Sequence, residues 1–460
     1  MKKSLPIFVA TMIMATLLHA QVEPSAGNWK TWFITSGKAY RLPTPPSYKG
    51  EIVKVFARQQ ELDAAGLQQI TYWNAGAPGY RWYDMMSGLY TQDTSSCGMF
   101  ILANMLLNTA IYDATIAAWD TKYAFKRLRP FEVDNRIKAY VPVAAIPSYP
   151  CEYSVAAGVA VTIIKHFFPS MADSVNHMAE QLMSSRIAAG VAFPSDTHAG
   201  FELGIKIAEK EIEYTKDFTS KMTWDRKMPQ QPGVWKGKKP MFPLAGMNKT
   251  VVLDSSSQFR PGPPPDFAKD MAELKAYKQN FRTMSNAFFW ASQSFWDDIL
   301  NKRIFECNLH LNPPRAARLY AITAIGMYDG FVACWDAKYT YWGIRPNQYD
   351  TTFRPALMIT PPFPGYPSGH ASISGLMGEL YSYFFPADSA YFHQKAKEGA
   401  ESRFQAGIHF RTDNEAGLEL GRKIAAVIIQ KVKNDGADNA IMLAKRKTEA
   451  KANNQKISSY

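Results

Sequence analysis

The sequence contains one long unit twice, and this repeat restricts the fold more than any other feature. Residues 112–130 align with residues 328–346 at an offset of 216, with nine identities. Residues 185–208 align with residues 402–425 at an offset of 217. Because the offset changes by one residue over this long interval, we interpret the pattern as a duplication of one structural unit.

Apolar residues in both copies follow helical spacing, and alternating strand patterns are scarce. The predicted helices include residues 99–123, 154–168, 316–339, 370–385, 392–404 and 415–433. Eight prolines in residues 228–267 exclude a continuous helix or a central strand between the copies. We therefore predict an all-α protein of duplicated helical-bundle halves, at residues 21–227 and 268–460, joined by a Pro-rich strap at 228–267.

The N-terminus has the pattern of a secretory signal. Lys2 and Lys3 precede an apolar stretch at 5–18, and Ala20 is a small residue at the cleavage point. We predict a signal peptide at 1–20 and a secreted or periplasmic mature protein without an integral membrane span.

The formal net charge of +12 favours an anionic partner. No run of Lys and Arg typical of nucleic-acid binding occurs before the C-terminal tail, so we expect a small anion and no nucleic acid. Four scattered cysteines without a CxxC pair do not form a disulfide scaffold, although the sequence leaves a single bridge open. The oligomeric state is also left open.

Three fragments of the second copy combine cations with histidines. They are Lys338 with Arg345-Pro346, then Pro367-Ser368-Gly369-His370, and then Ser402-Arg403 with His409 and Asp413. Guanidinium forks and an ammonium suit the oxygens of an oxyanion. The Ser368-Gly369 pair also precedes a predicted helix, whose free N–H groups favour the same ligand. The fragments together predict an oxyanion site.

The two histidines are expected to differ in role. His409 follows Arg403 by six residues, so the chain must bend near Gly407 to bring both side chains inward. Asp413 is placed to accept one ring N–H of His409, which makes His409 the ligand or nucleophile. His370 is placed to exchange protons with an oxygen of the anion.

These fragments resemble the signature shared by vanadium-dependent haloperoxidases and the type 2 phosphatidic acid phosphatase superfamily. The resemblance implies a haloperoxidase-like fold with the active site in the C-terminal half. It implies that Lys338, Arg345, Ser368, Gly369 and Arg403 bind vanadate oxygens, that His409 coordinates vanadium, and that His370 is the acid/base. Hydrogen peroxide and halide would then be the substrates, with hypohalous acid as the product.

The same signature also allows a secreted acid phosphatase, in which His409 attacks a phosphate ester and His370 protonates the leaving oxygen. Trp335 and Phe363 resemble the apolar halide-side wall of fungal chloroperoxidases, although Trp335 is also compatible with a core position, as its counterpart Trp119 indicates. This wall and the exported, soluble form favour a haloperoxidase, while the halide and the organic acceptor are left open.

The first copy is predicted to be a degenerate, structural half. It keeps Lys122, Arg129, Arg186 and Asp196, but Cys151-Glu152-Tyr153 replaces Ser-Gly-His and Ala192 replaces the second histidine.

Two other classes are disfavoured. In a Ser368-His370-Asp413 hydrolase triad, Ser368 and His370 would point in different directions from the start of one helix. A purely anion-binding protein would not require both histidines.

Overall fold

The structure, a computed structural model, describes residues 23–92, 97–218, 224, 227–291, 295–357 and 360–437. These residues form helices and no β-strand, apart from an isolated antiparallel bridge between Val234 and Gly343. The predicted all-α class is therefore confirmed. The predicted signal peptide lies outside the described residues.

In the part of the first half that the structure describes there are eight α-helices: α1 Ile52–Gln60, α2 Ala64–Asn74, α3 Tyr80–Gln92, α4 Cys97–Phe125, α5 Pro130–Val133, α6 Glu152–Phe167, α7 Ala172–Ala188 and α8 Pro194–Thr215. Eight more follow the strap: α9 Ala268–Ala276, α10 Phe281–Phe289, α11 Phe295–Glu306, α12 Pro313–Tyr341, α13 Pro346–Tyr349, α14 Gly369–Phe384, α15 Ser389–Gln405 and α16 Arg411–Val432. Every helix predicted from apolar spacing is present, with ends that differ by a few residues.

Helices that the repeat aligns have equal lengths: 29 residues in α4 and α12, 16 in α6 and α14, 17 in α7 and α15, and 22 in α8 and α16. α6 packs against α8, and α14 packs against α16. The two long helices α4 and α12 pack against each other, and one apolar core contains side chains from both halves.

The central position of α4 explains its composition. Among the described residues, only the stretch Gly98–Val133 is long and apolar enough to cross a membrane, and 83% of its most apolar window is buried inside the fold. A helix that is covered by protein on all sides is apolar around its whole circumference.

Helix α12 is bounded by residues that its sequence supplies. The Asn312 side chain accepts the Arg315 N–H at 3.4 Å, and Pro313 occupies the first turn, where the missing N–H has no cost. The helix ends because Trp342 adopts a left-handed conformation (φ 51°). Lys338 consequently lies one turn before the end of α12.

One buried carboxylate on each long helix anchors an extended loop. The Asp329 carboxylate on α12 accepts the N–H groups of residues 251–253 at 2.7, 2.8 and 3.2 Å. The Asp113 carboxylate on α4 accepts those of residues 32–34 at 2.8, 2.8 and 3.1 Å. Part of the Pro-rich strap is therefore fixed to the second half in the way that the N-terminal loop is fixed to the first.

Close helix approach in the second half depends on Gly421 of α16. A Cβ atom at this position would lie 2.0 Å from the backbone oxygen of Ser372 on α14. We expect Gly421→Ala to lower the free energy of unfolding by at least about 2 kcal/mol, because α14 and α16 must separate. Urea denaturation measures this loss. Gly88→Ala at an exposed position of α3, where a Cβ meets nothing within 4 Å, is the matched control and should leave stability equal or higher. Equal stability of both variants would contradict the packing argument.

Candidate active site

The predicted site residues converge at the loops that join the helices of the second half. Contacts between the separate fragments link Lys338 with residues 364–367, Arg345 with His409, and Ser368 with Asp413. The chain turns between α15 and α16 at Gly407, whose φ of 73° suits glycine. This turn lies where the sequence predicts a bend.

Lys338 is fully buried, and its ammonium holds the loop that precedes α14. The Nζ atom donates to the backbone oxygens of Pro364 and Gly365, each at 2.8 Å, and of Pro367 at 2.5 Å. Burial and the nearby Arg345 charge lower the Lys338 pKa to about 7, with Cys334 and Asp413 acting in the opposite direction. Lys338 thus fixes the loop and brings a positive charge close to the other cations.

Arg345 is fully buried and has one nitrogen without a partner. Its Nε donates to the Phe363 oxygen at 3.1 Å, and its Nη1 donates to the Ile408 oxygen at 2.8 Å. Its Nη2 finds no acceptor among the described residues. A buried guanidinium nitrogen is costly to leave unpaired, so this atom indicates a missing acceptor. Burial lowers the Arg345 pKa to about 10.

The geometry fixes the tautomer of His409. Its Nδ1 lies 3.0 Å from Asp413 Oδ2, which also accepts the Phe410 N–H at 3.0 Å. Because Oδ2 already acts as an acceptor, Nδ1 carries the proton and donates it. The Nε2 lone pair then faces Arg345 Nη1 at 3.0 Å. Burial and the nearby cations lower the His409 pKa far below its usual value, so the ring is neutral.

Asp413 joins the start of α16 to the start of α14. Its backbone oxygen accepts the Ser368 N–H at 2.8 Å, while its side chain orients His409. Burial raises the Asp413 pKa to about 7, against the opposing effects of the Phe410 N–H, Lys338 and Arg345.

The start of α14 has room for a small group at Gly369. Ser368 caps the helix, and its Oγ accepts the Ala371 N–H at 3.4 Å. A Cβ placed on Gly369 would have only the Trp335 ring within 4 Å, at 3.7 Å. The first backbone N–H groups of a helix attract anions, so this open space is suited to an oxyanion.

His370 is half-buried beside this space. Burial and the charges of Arg403, Lys338 and Arg345 lower its pKa to about 3, while a hydrogen bond to the Trp290 backbone opposes the shift. The anion-free imidazole is therefore neutral and able to accept a proton. A bound anion would raise its pKa by offsetting these positive charges.

Arg403 is held by a helix that sequence reasoning did not connect with the site. Its Nη2 donates to the Ala287 oxygen of α10 at 2.7 Å, and its Nε donates to Ser402 Oγ at 3.0 Å. Burial lowers the Arg403 pKa to about 10. No local pattern around Ala287 signals this role, because only its backbone oxygen is used.

Trp335 and Phe363 form an aromatic pair beside the cations. Their ring centroids are 5.2 Å apart. The Phe363 ring centroid lies 5.3 Å from Lys338 Nζ and 5.1 Å from Arg345 Cζ. Trp335 Nε1 is buried without a partner among the described residues. The pair gives one side of the cluster an apolar wall.

The donor set fits an oxyanion such as vanadate. It offers an unpartnered guanidinium nitrogen, a neutral imidazole lone pair and a helix N-terminus within a cluster of three cations. Among the described residues, no group of three or more His, Cys, Asp and Glu side chains forms a metal-cation site. The cluster therefore attracts negative charge.

Comparisons with known proteins agree with this fold. A family model described as the VCPO second helical-bundle domain matches residues 389–435. The crystal structure described as the first bacterial vanadium-dependent iodoperoxidase aligns with a TM-score of 0.61 at 22% identity, over 76% of this chain and 95% of that one. A comparison with curated protein sequences gives no match.

Two structures of a bacterial vanadium-dependent chloroperoxidase are also similar. The holo form aligns with a TM-score of 0.57 at 14% identity, covering 74% of this chain and 93% of that one. The apo form aligns with a TM-score of 0.55 at 14% identity, covering 73% and 94%. The resemblance to the vanadium haloperoxidase superfamily is thus confirmed at the level of the fold.

Proposed function

We propose that this protein is a vanadium-dependent haloperoxidase, which oxidises halide with hydrogen peroxide to hypohalous acid. The observation that carries the proposal is the neutral His409, whose Nε2 lone pair lies beside the partly unpaired Arg345. The fold shared with an iodoperoxidase and a chloroperoxidase supports it. The signal peptide expected at 1–20 would place the enzyme outside the cytoplasm.

The second half supplies every group that the proposal needs. Arg345, Arg403, Ser368 and the N-terminus of α14 would hold the vanadate oxygens, with Lys338 contributing charge. His409 Nε2 would be the vanadium ligand. Vanadate, when bound, supplies Lewis-acid activation of hydrogen peroxide.

Asp413 determines which nitrogen of His409 faces the anion, and His370 is the residue that exchanges protons with the substrate. Asp413 is a positioning residue, because it keeps the proton on His409 Nδ1 and leaves Nε2 unprotonated. His370 begins neutral, and a bound anion that raises its pKa would enable it to take a proton from an incoming peroxide. It can then return that proton to a leaving oxygen.

The apolar wall of Trp335 and Phe363 favours halide chemistry. Large halide ions lose their hydration water readily. The aromatic wall excludes competing water, and the cations behind it balance the negative charge of the halide. We assign the halide side of the site to this wall.

An acid phosphatase is the alternative, because the His409 lone pair is equally suited to attack phosphorus. Anion-stripped protein should be assayed for hydrolysis of p-nitrophenyl phosphate beside oxidation of bromide and iodide, each with and without orthovanadate. We expect vanadate to activate halide oxidation. Phosphate release that vanadate inhibits, without halide oxidation at any vanadate concentration, would establish the phosphatase instead.

Anion affinity should depend on pH through Lys338. Its pKa is lowered to about 7, so the free site loses this positive charge as the pH rises through that value. Burial raises the Asp413 pKa to about 7, so Asp413 gains a negative charge over the same pH range, and this also weakens anion binding. Because sulfate keeps its charge, we expect its dissociation constant to rise about tenfold per pH unit above 7. Calorimetric titration between pH 6 and 9 measures the slope, and Lys338→Met should reduce it to the part that Asp413 contributes. An affinity that is constant over this range would contradict the assignment.

A further inference from the structure

The first half contains a buried ion cluster where the second half has its oxyanion site. Lys122 and Arg129 align with Lys338 and Arg345. Glu152 Oε2 lies 2.8 Å from Lys122 Nζ, and Glu152 Oε1 lies 3.2 Å from Arg129 Nη2. The Glu152 side chain is only 8% exposed. A single carboxylate therefore contacts both cations that the two halves share.

Glu152 occupies the position where the second half has Gly369. It is the first residue of α6, just as Gly369 is the first residue of α14. In the second half, the missing side chain leaves space beside a helix N-terminus. In the first half, the Glu152 carboxylate extends from that position toward the cations.

Arg129 has an acceptor on each of its three side-chain nitrogens. Arg129 Nε donates to the Ile146 oxygen at 2.9 Å, and Nη1 donates to the Val191 oxygen at 2.8 Å. With Glu152 on Nη2, all three Arg129 nitrogens have partners, whereas Nη2 of the aligned Arg345 has none among the described residues. The carboxylate thus takes the place of the acceptor that the second half lacks.

The aspartate that orients the second imidazole has a different partner in the first half. Ala192 stands where the second half has His409. The carboxylate of Asp196, which aligns with Asp413, accepts a hydrogen bond from Arg127 Nη1 at 2.6 Å. Arg127 aligns with Gly343, so this cation has no counterpart in the second half.

Charge balance explains why the cluster is stable. Burial acts to raise the Glu152 pKa, but the attraction of Lys122 and Arg129 exceeds this effect and lowers the pKa to about 2. Two buried cations without a counter-charge would be strongly destabilising, and the ionised carboxylate offsets part of that cost.

A cavity of about 320 Å³ reaches this cluster from outside. Its lining includes Arg129, Cys151, Glu152 and Arg186 from the first half and His310 from the second. Small anions can therefore approach the cations if the carboxylate is absent.

We propose that the first half is a latent oxyanion site whose anion is the chain's own Glu152 carboxylate. The protein then binds one external oxyanion, in the second half. Removal of this carboxylate should open a second site for a small oxyanion, for which acetate and inorganic phosphate are the probes.

The test measures thermal unfolding of the full-length protein and its Glu152→Gly variant, which restores the residue of the second half. We expect Glu152→Gly to lower the melting temperature by at least about 5 °C in chloride, because two buried cations lose their partner. Acetate or phosphate at equal ionic strength should recover most of the loss. The same anions should raise the melting temperature of the wild-type protein less. Subtracting the wild-type shift removes any effect of anion binding at the second-half site.

Two further variants make the result specific. Glu152→Gln keeps the side-chain volume without the charge, so we expect it to be destabilised but not rescued by either anion. Glu152→Gly combined with Arg129→Gln should lose the rescue by phosphate. If Glu152→Gly folds only when acetate or phosphate is present, the proposal is also supported.

A Glu152→Gly melting temperature that is no higher in acetate or phosphate than in chloride, or failure to fold in all three salts, would overturn the latent site. Halide oxidation by the second half is measured separately, so the proposed function can fail without affecting this result.

Discussion

His409→Ala is expected to abolish vanadate-dependent halide oxidation, with a loss of at least about 10³-fold in kcat/KM. The substitution removes the Nε2 lone pair that faces Arg345 and that we propose as the vanadium ligand. Asp413 keeps its hydrogen bond from the Phe410 N–H, so the start of α16 should stay in place. Steady-state oxidation of iodide and bromide at saturating vanadate measures the loss, and circular dichroism checks the fold.

His393→Ala is the matched control for this change. His393 lies on α15 with a side chain that is 44% exposed, near Glu379 and away from the cation cluster. We expect this variant to retain wild-type activity. Substantial halide oxidation by a folded His409→Ala protein would contradict the assigned role.

Lys338→Met should produce the second largest effect, on both binding and stability. The variant keeps the length of the side chain but removes the charge, and it leaves the oxygens of Pro364, Gly365 and Pro367 without their donor. We expect vanadate affinity to fall by about 10²-fold to 10³-fold, and the free energy of unfolding to fall by about 3–5 kcal/mol. Equilibrium dialysis with vanadate and urea denaturation measure the two losses separately.

The repeat provides a control for the stability component. Lys122 is the aligned, equally buried lysine, with bonds to the Pro147 and Ser148 oxygens and an ion pair with Glu152. We expect Lys122→Met to lose a similar amount of stability, because it leaves the Glu152 charge unpaired. Its vanadate affinity should not change. If both variants lost vanadate affinity equally, the effect of Lys338→Met would be indirect.

Much of the site could be predicted because its chemistry is concentrated in short fragments. Three segments contain the cations, the helix start and both histidines, and the bend at Gly407 follows from the spacing of Arg403 and His409. The helices were predictable for a similar reason, since apolar spacing marks each buried face.

Other features could not be predicted, because they depend on backbone atoms and on distant segments. The Ala287 oxygen that holds Arg403 leaves no side-chain signal in the sequence. The loop at 251–253, whose N–H groups bind Asp329, also leaves no side-chain signal. The sequence shows Glu152 in place of the glycine of the second half, but only the structure places its carboxylate against both Lys122 and Arg129.

The most direct test of the account is a titration of anion-stripped protein with orthovanadate, followed by the rate of halide oxidation in excess peroxide. We predict no oxidation without vanadate and a rate that saturates at one vanadate per chain, consistent with a single open site in the second half. A rate that stays at background while vanadate binds would contradict the haloperoxidase assignment.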